Sequence, residues 1–271
     1  MRNEQSLDGL CAALSYAIGI EPPAHAAAPV QALCDYVDEK LQGKKVDRIF
    51  MYNPDAIGQW IAEKYPYLMK RVRENTELQI PYTTVDPSCT PVCFATMYTG
   101  AQPEVHGIQK YEKPVLRIDT LFDALIRAGK KPVILAVGPN GSVARIFQER
   151  EMDYFFFRNA EQINAKAAEL ILEDQYDFMV VYNGNYDSAL HDFGPEDVRT
   201  LSELRVNDTA FGMFSNMIRQ HWKHHDTLMA FAMDHGCHHT EDGKGGHGKD
   251  IDEDMNIVHH YQIFPGKRAE A

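Results

Sequence analysis

Apolar and polar positions follow one another in blocks that predict strands alternating with helices. Short apolar runs of strand length occupy residues 48–52, 131–137, 154–157, 177–182 and 227–233. Apolar residues recur at helical spacing over residues 7–19, 28–42, 57–73, 91–98, 118–129, 160–173 and 205–222. This alternation predicts an α/β fold, a three-layer sandwich with a mainly parallel central sheet and helices on both faces.

Two predicted helices precede the first strand and are separated by a turn at Glu21-Pro22-Pro23. We therefore expect an N-terminal helical appendage over residues 1–44 and a main domain over residues 45–271. The alanine-rich faces of the two helices could pack against a second copy of the chain, which would make a homo-oligomer.

The charge of the chain restricts its partners. With 39 acidic and 27 basic residues the formal net charge is -12, which argues against binding of nucleic acid polymers or anionic membranes. No apolar run approaches the ~20 residues that span a bilayer, and the N-terminus lacks a signal-peptide pattern. Five cysteines without a regular framework indicate reduced thiols. We expect a soluble, cytoplasmic protein.

Metal-ligand residue types follow three of the predicted strands. Asp55 follows the first, Asp187 and His191 follow another, and Asp234-His235 follows the last. A single Asp in such a position is more often a helix cap or a turn residue. Because the carboxyl ends of parallel strands meet at one edge of a sheet, we expect these residues to converge there.

The spacing of these residues adds local detail. Asp187 and His191 are four residues apart, so a helical turn would place both on one face, although a capped helix with a solvated histidine is an equal alternative. His247 lies in a glycine-rich loop, residues 243–248, where glycine permits close approach to a ligand. Oxygen and imidazole ligands together favour zinc, with manganese as the alternative.

Residues 86–91, Asp-Pro-Ser-Cys-Thr-Pro, are followed by Thr-Gly at 99–100, Pro103 and His-Gly at 106–107. This stretch resembles the nucleophile motif of the alkaline phosphatase superfamily, in which a Thr, Ser or modified Cys opens a helix that ends in Thr-Gly. The spacing is most similar to the nucleotide pyrophosphatase/phosphodiesterase and phosphonoacetate hydrolase branches. The later metal motifs match in the same order, and the resemblance runs from about residue 46 to about residue 264.

The resemblance implies that residues 45–271 form an alkaline phosphatase-like catalytic domain, a hydrolase of phosphate esters with Thr90 as the nucleophile. It also implies two divalent metal ions. One would be held by Asp187, His191 and His247, and the other by Asp55, Asp234, His235 and the Thr90 oxygen. The expected substrate is a small anionic ester, with phosphodiesterase/nucleotide pyrophosphatase-like hydrolysis first and phosphonate or phosphomonoester hydrolysis as alternatives. A noncatalytic metal-binding protein on the same scaffold is the alternative of another class.

Two positions depart from the family pattern. The family has Asp-Gly directly after its first strand, where this chain has Asn-Pro-Asp-Ala at residues 53–56. Cys93 stands where the resemblance implies an asparagine that binds a phosphoryl oxygen, and a thiol is a weak donor. The side chains that could replace this donor are Asn183, Asn185 and Lys110.

Overall fold

An eight-stranded sheet forms the centre of the computed structural model, which describes residues 1–267. In chain order the strands are β1 (Gln5–Ser6), β2 (Arg48–Pro54), β3 (Leu78–Thr83), β4 (Pro132–Val137), β5 (Asp153–Phe157), β6 (Phe178–Asn183), β7 (Thr227–Phe231), β8 (His238–His239), β9 (Gly245–Gly246) and β10 (Asn256–Phe264). The sheet order is β1-β3-β10-β7-β2-β6-β4-β5, and β8 pairs with β9 as a separate ribbon.

The helices in chain order are α1 (Gly9–Ile18), α2 (Gln31–Leu41), α3 (Gln59–Lys64), α4 (Lys70–Glu74), α5 (Thr90–Thr99), α6 (Pro103–His106), α7 (Leu121–Arg127), α8 (Ser142–Ile146), α9 (Ala160–Glu173), α10 (Asn185–Phe193), α11 (Val198–His221) and α12 (Asp252–Met255). A 3₁₀ helix, Pro66–Met69, lies between α3 and α4. The single helix predicted over residues 57–73 is therefore divided into three pieces, since Pro66 cannot donate the backbone hydrogen bond that an unbroken helix requires.

The mainly parallel sheet predicted from the sequence is confirmed. Strand β10 runs antiparallel to both β3 and β7, while the other neighbouring pairs are parallel. Strands β6 and β7 are buried along their whole length, as expected for strands covered on both faces. Strands β3 and β10 were not predicted. Their pairing joins segments that lie more than 170 residues apart, which no local periodicity reveals.

Aromatic side chains from alternate strand positions fill the two layers between sheet and helices. On one face Phe178 of β6 lies 6.2 Å from Phe122 of α7, measured between ring centroids. On the other, Phe50 of β2 lies 5.1 Å from Phe214 of α11. Since successive side chains of a strand point to opposite faces, each strand contributes to both layers. The predicted sandwich with helices on both faces is confirmed.

The two N-terminal helices share the core of the rest of the chain. Leu10 and Leu14 of α1 are fully buried in the same cluster as the sheet, and the α1 alanines, Ala12, Ala13 and Ala17, are buried as well. Strand β1 extends the sheet by pairing with β3. The division at residue 44 and a dimer contact through these helices stay predictions. Residues 268–271 of the predicted main domain lie outside the described residues.

All five cysteines are buried and unpaired, in agreement with the reduced thiols expected from the sequence.

Within residues 1–267, no helix combines the length and the apolar character that a membrane span requires.

His106 connects the end of α6 to α5. Its Nδ1 accepts from the backbone N–H of Ile108 at 3.2 Å, and its Nε2 lies 3.1 Å from Thr96 Oγ1. The ring is therefore neutral, with the proton on Nε2. Burial lowers the pKa of His106 to about 4. Below pH 6.5 the unfolded chain binds a proton at this position that the folded protein does not bind until about pH 4.

The free energy of unfolding is therefore expected to fall as the pH decreases from 7 to 5, by roughly 1–2 kcal/mol from this group alone. Urea unfolding of the chelator-treated protein at both pH values measures the change. Replacing His106 with glutamine should reduce that pH dependence, whereas replacing the exposed His25 with glutamine should preserve it. Equal pH dependence in both variants would contradict the assignment.

Candidate active site

The carboxyl ends of three neighbouring parallel strands carry the predicted metal ligands. Asp55 directly follows β2, Asp187 and His191 lie on α10 immediately after β6, and Asp234-His235 follows β7. These strands are adjacent, in the order β7-β2-β6, so their ends meet at one edge. The structure brings together all seven predicted site residues, including Thr90 and His247 from more distant segments.

Asp187, His191 and His247 form the first group. Asp187 Oδ1 lies 3.2 Å from His191 Nε2 and 3.3 Å from His247 Nε2, and the two Nε2 atoms are 3.1 Å apart. The helical turn of α10 places Asp187 and His191 on one face, as their four-residue spacing predicts. His247 reaches them from the loop after β9.

Asp55, Asp234 and His235 form the second group, which is almost completely buried. His235 Nε2 lies 3.3 Å from Asp55 Oδ1 and 3.3 Å from Asp234 Oδ2. In each group the ligand atoms lie within 4.8 Å of one another. The rings of His235 and His247 are 4.2 Å apart, so the two groups are adjacent.

The three imidazoles share one orientation. Each Nδ1 faces a backbone carbonyl: Gly245 O for His191, Ser88 O for His247 and Gly236 O for His235, at 3.2, 3.1 and 2.9 Å. The proton therefore belongs on Nδ1, and each Nε2 presents its lone pair to the cluster. Imidazoles that bind metals commonly have their other nitrogen held in this way.

The electrostatics of the cluster fit bound cations. Asp55 Oδ1, Asp187 Oδ1 and Asp234 Oδ2 are buried and have no hydrogen-bond partner among the described residues. These oxygens face Nε2 lone pairs at 3.2 to 3.3 Å, an arrangement that repels unless a cation lies between the atoms. The donor set of carboxylates and imidazoles is typical of zinc and other first-row divalent ions.

Burial and mutual repulsion shift the ionisation of these groups. Burial raises the pKa of Asp234 to about 7, and burial together with the neighbouring Asp234 charge raises the pKa of Asp55. Burial and the nearby His247 lower the pKa of His235 to about 4, so its ring is neutral. At Asp187 burial is outweighed by hydrogen bonds from protonated His191 and His247, which lower the pKa, so in metal-free protein the Nε2 protons of these rings take the place of a cation. Concentrated carboxylate charge of this kind is compensated when divalent cations bind.

Thr90 is the first residue of α5 and lies against the second group. Its Oγ1 donates to Asp55 Oδ2 at 3.3 Å and lies 3.4 Å from His235 Nε2. The N-terminus of this ten-residue helix carries partial positive charge and free N–H groups, a favourable place for a phosphate. The Thr90 hydroxyl, Asp55 and the first ligand group therefore face the same volume, with Asp234 and His235 buried beneath them.

A cavity of about 490 Å³ opens above these residues. It is lined by Asp55, Pro87, Cys89, Thr90, Lys110, Tyr111, Ser142, Tyr182, Asp187, His191, His247 and Gly248. Lys110 is the one lysine or arginine in this lining within the described part of the chain. The cavity is large enough for a small ester and places positive charge at its rim.

Asn183, Asn185 and Lys110 are the side chains that could replace the phosphoryl donor missing at Cys93, and they differ in where they lie. Cys93 is fully buried, with its Sγ against Thr84 Oγ1, and does not line the cavity. Asn183 donates to Tyr52 and Asn164 on the opposite face of the sheet.

Asn185 is bound to Glu203. Lys110 alone among the three candidates lines the cavity. The geometry therefore allows Lys110 to donate to a phosphoryl oxygen in the cavity. The side chains of Asn183 and Asn185 already form hydrogen bonds with other residues.

Tyr182 was not predicted as a site residue. Its hydroxyl donates to Asp55 Oδ2, and its ring packs against Phe94 of α5. The only sequence signal was its place at the end of a predicted strand, where ligand-binding residues gather. The hydrogen bond orients the carboxylate that also accepts from Thr90.

A comparison with protein families connects this geometry to known enzymes. The family model of type I phosphodiesterase / nucleotide pyrophosphatase matches residues 117–263, more than half of the chain. The chain belongs to this family. The matched range includes the first ligand group together with Asp234 and His235, while Asp55 and Thr90 precede it. A search of curated protein sequences found no match.

Solved structures of the same fold match most of the chain. Phosphonoacetate hydrolase from Sinorhizobium meliloti, in complex with phosphonoformate, is 18% identical to this chain, with a TM-score of 0.55. The aligned region covers 73% of this chain and 59% of the hydrolase chain. Murine ectonucleotide pyrophosphatase / phosphodiesterase 5 is 18% identical, with a TM-score of 0.56 and coverage of 72% and 59%. An alkaline phosphatase superfamily protein from Vibrio parahaemolyticus is 14% identical, with a TM-score of 0.59 and coverage of 81% and 60%.

These likenesses confirm the alkaline phosphatase superfamily fold expected from the sequence. The chain spans about three fifths of the length of each of these solved structures.

Proposed function

We propose that this chain is a two-metal hydrolase of small anionic phosphate esters in which Thr90 is the nucleophile. The observation that carries the proposal is that two adjacent ligand groups meet the Thr90 hydroxyl at a single cavity, which is lined by the first group and by Asp55 of the second. Asp187, His191 and His247 would hold one cation. Asp55, Asp234, His235 and the Thr90 oxygen would hold the other. Zinc suits this donor set, and manganese is the alternative.

Bound divalent cations supply two kinds of chemistry at such a site, lowering the pKa of a hydroxyl and neutralising charge on phosphoryl oxygens. The chain itself orients the nucleophile. The hydrogen bond from Thr90 Oγ1 to Asp55 directs the hydroxyl proton toward the carboxylate. The Oγ1 lone pairs are then available for phosphorus. The helix N-terminus of α5 adds N–H donors for phosphoryl oxygens.

The proposed reaction has two steps. Thr90 Oγ1 forms a bond to phosphorus as the bond to the leaving oxygen breaks, and the Thr90 proton passes to the surrounding carboxylates. Water then attacks the phosphothreonine, which restores Thr90 and releases the phosphorylated product. Lys110 at the rim would attract the anionic substrate, and the exposed Tyr111 beside it offers a planar surface for a leaving group.

Phosphodiester or pyrophosphate hydrolysis is our first choice because the family match is to type I phosphodiesterase / nucleotide pyrophosphatase. Murine ectonucleotide pyrophosphatase / phosphodiesterase 5 in complex with AMP shares the fold. Phosphonate hydrolysis is the second candidate, supported by the similarity to a phosphonoacetate hydrolase bound to phosphonoformate. Phosphomonoester hydrolysis ranks third.

Matched nitrophenyl substrates would test the choice. The protein is freed of metal with a chelator, reloaded with Zn²⁺ or Mn²⁺ and assayed on a phosphodiester, a phosphonate, a phosphomonoester and a sulfate ester. We expect the highest kcat/KM on the phosphodiester and no turnover without metal. Preference for the phosphonate would select the second candidate. Two bound ions without turnover of any ester would favour a noncatalytic metal-binding protein.

A further inference from the structure

A buried carboxylate outside both ligand groups connects the two loops that carry His235 and His247. Asp254 is fully buried, at the single turn α12, and does not contact the cavity. Three residues from two segments, Gly236 and His238 in one and Lys249 in the other, form hydrogen bonds with it. Its contacts account for both carboxylate oxygens and the backbone carbonyl.

The first of these contacts involves the loop after β7. The N–H of Gly236, next to His235, donates to the backbone carbonyl of Asp254 at 2.7 Å. The two backbone segments approach so closely here that a Cβ on Gly236 would lie 2.0 Å from the carbonyl oxygen of Glu253. Glycine is therefore required, and the backbone of His235 is held directly against the turn that contains Asp254.

The other contacts involve the loop of His247. The N–H of Lys249, two residues beyond His247, donates to Asp254 Oδ2 at 2.9 Å. His238 Nδ1 lies 2.8 and 3.0 Å from the two carboxylate oxygens. His238 belongs to β8, which pairs with Gly246, the residue before His247. Both sides of His247 are thus connected to one carboxylate.

The chemistry of these contacts matches a carboxylate. An ionised Asp only accepts hydrogen bonds, which matches the Lys249 N–H and a proton on His238 Nδ1. An amide at this position would either place its NH₂ against the Lys249 N–H or make His238 move its proton from Nδ1 to Nε2. In both cases the charge-assisted hydrogen bonds to Asp254 are lost.

We propose that Asp254 and His238 are positioning residues that hold His235 and His247 at the separation the two metal ions require. They act through the backbone of the two loops and touch neither substrate nor metal. This inference rests on the proposed function for the metals themselves. The loop connection, however, can be measured in metal-free protein.

The experiment compares Asp254→Asn with Glu253→Gln, an equivalent change of an exposed neighbour in the same turn. Hydrogen exchange of the metal-free proteins, followed by mass spectrometry, should be faster in Asp254→Asn over both residues 234–239 and residues 245–250. The Zn²⁺ affinity, measured by competition with a chromogenic chelator, should fall ~10-fold to 100-fold. Glu253→Gln should match the unchanged protein in both measurements.

Variants of His238 keep the test decisive if Asp254→Asn does not fold. His238→Ala removes the donor and should weaken Zn²⁺ binding, whereas His238→Asn places an amide N–H near the position of Nδ1 and should restore most of the affinity. Unchanged Zn²⁺ affinity in both alanine and asparagine variants would overturn the proposal. So would faster exchange confined to one loop in Asp254→Asn.

The two proposals fail in different ways. If the unchanged protein binds no Zn²⁺, the proposed function fails while the exchange measurement still tests the loop connection. If the unchanged protein binds two ions and hydrolyses esters but Asp254→Asn behaves identically, only the positioning role is wrong.

Discussion

Thr90→Ala is expected to lower kcat on the preferred phosphate ester by ~10³-fold or more while two metal ions remain bound. The substitution removes the Thr90 hydroxyl, which lies against both Asp55 and His235 at the helix N-terminus. Since three protein ligands remain at that metal, the metal content should be preserved. Steady-state kinetics together with elemental analysis of the dialysed protein measure both quantities.

Thr90→Ser is the matched control, because it keeps the hydroxyl and removes only a methyl group. It should retain measurable turnover, and acid quenching of the unchanged enzyme should trap a phosphoryl group on Thr90 that mass spectrometry locates. Turnover by Thr90→Ala at the unchanged rate would refute the nucleophile assignment.

Asp234→Asn is expected to remove most of the stabilisation that the ion at Asp55, Asp234 and His235 gives to the protein, while the ion at Asp187, His191 and His247 still contributes. A ligand that binds only the folded state at about 1,000 times its Kd adds roughly 4 kcal/mol to the free energy of unfolding. Asp234 is fully buried and has one oxygen, Oδ2, without a hydrogen-bond partner among the described residues, directed at the His235 ring. The amide replaces a charged ligand with a neutral one, so this cation binds more weakly and contributes less to the free energy of unfolding.

In metal-free protein the same variant should be at least as stable as the unchanged chain. Burial raises the pKa of Asp234 to about 7, so above that pH the metal-free site carries a desolvated charge near other carboxylates. Thermal unfolding with chelator and with Zn²⁺ gives both results. Asp192→Asn, an exposed change next to His191, should keep the full response to Zn²⁺. An unaltered Zn²⁺ response in Asp234→Asn would contradict the proposed ligand set.

Local periodicity explains how much of the site the sequence predicted. Asp187 and His191 share a helix face because 3.6 residues per turn places positions four apart side by side, whatever the rest of the fold. Asp55 and Asp234 converge because parallel strands have their carboxyl ends at one edge. Both rules need only the type of each element and its order along the chain.

The structural features that the sequence did not predict depend on contacts between distant segments. Strand β10 contains two buried histidines, His259 and His260, so its composition does not read as a core strand. It belongs to the sheet because β3 and β7 satisfy its backbone hydrogen bonds. Similarly, the hydrogen bond of Tyr182 to Asp55 joins residues 127 positions apart.

The sequence by itself determined the α/β class, the strand-end location of the ligands and the seven residues expected in the site. Only the tertiary structure decided which donors reach the cavity, since Asn183 turns to the opposite face of the sheet while Lys110 lies at the rim. It also decided that Asp254 joins the His235 and His247 loops. The physical reason is that element type follows from short-range spacing, whereas hydrogen-bond partners are set by packing between segments far apart in the chain.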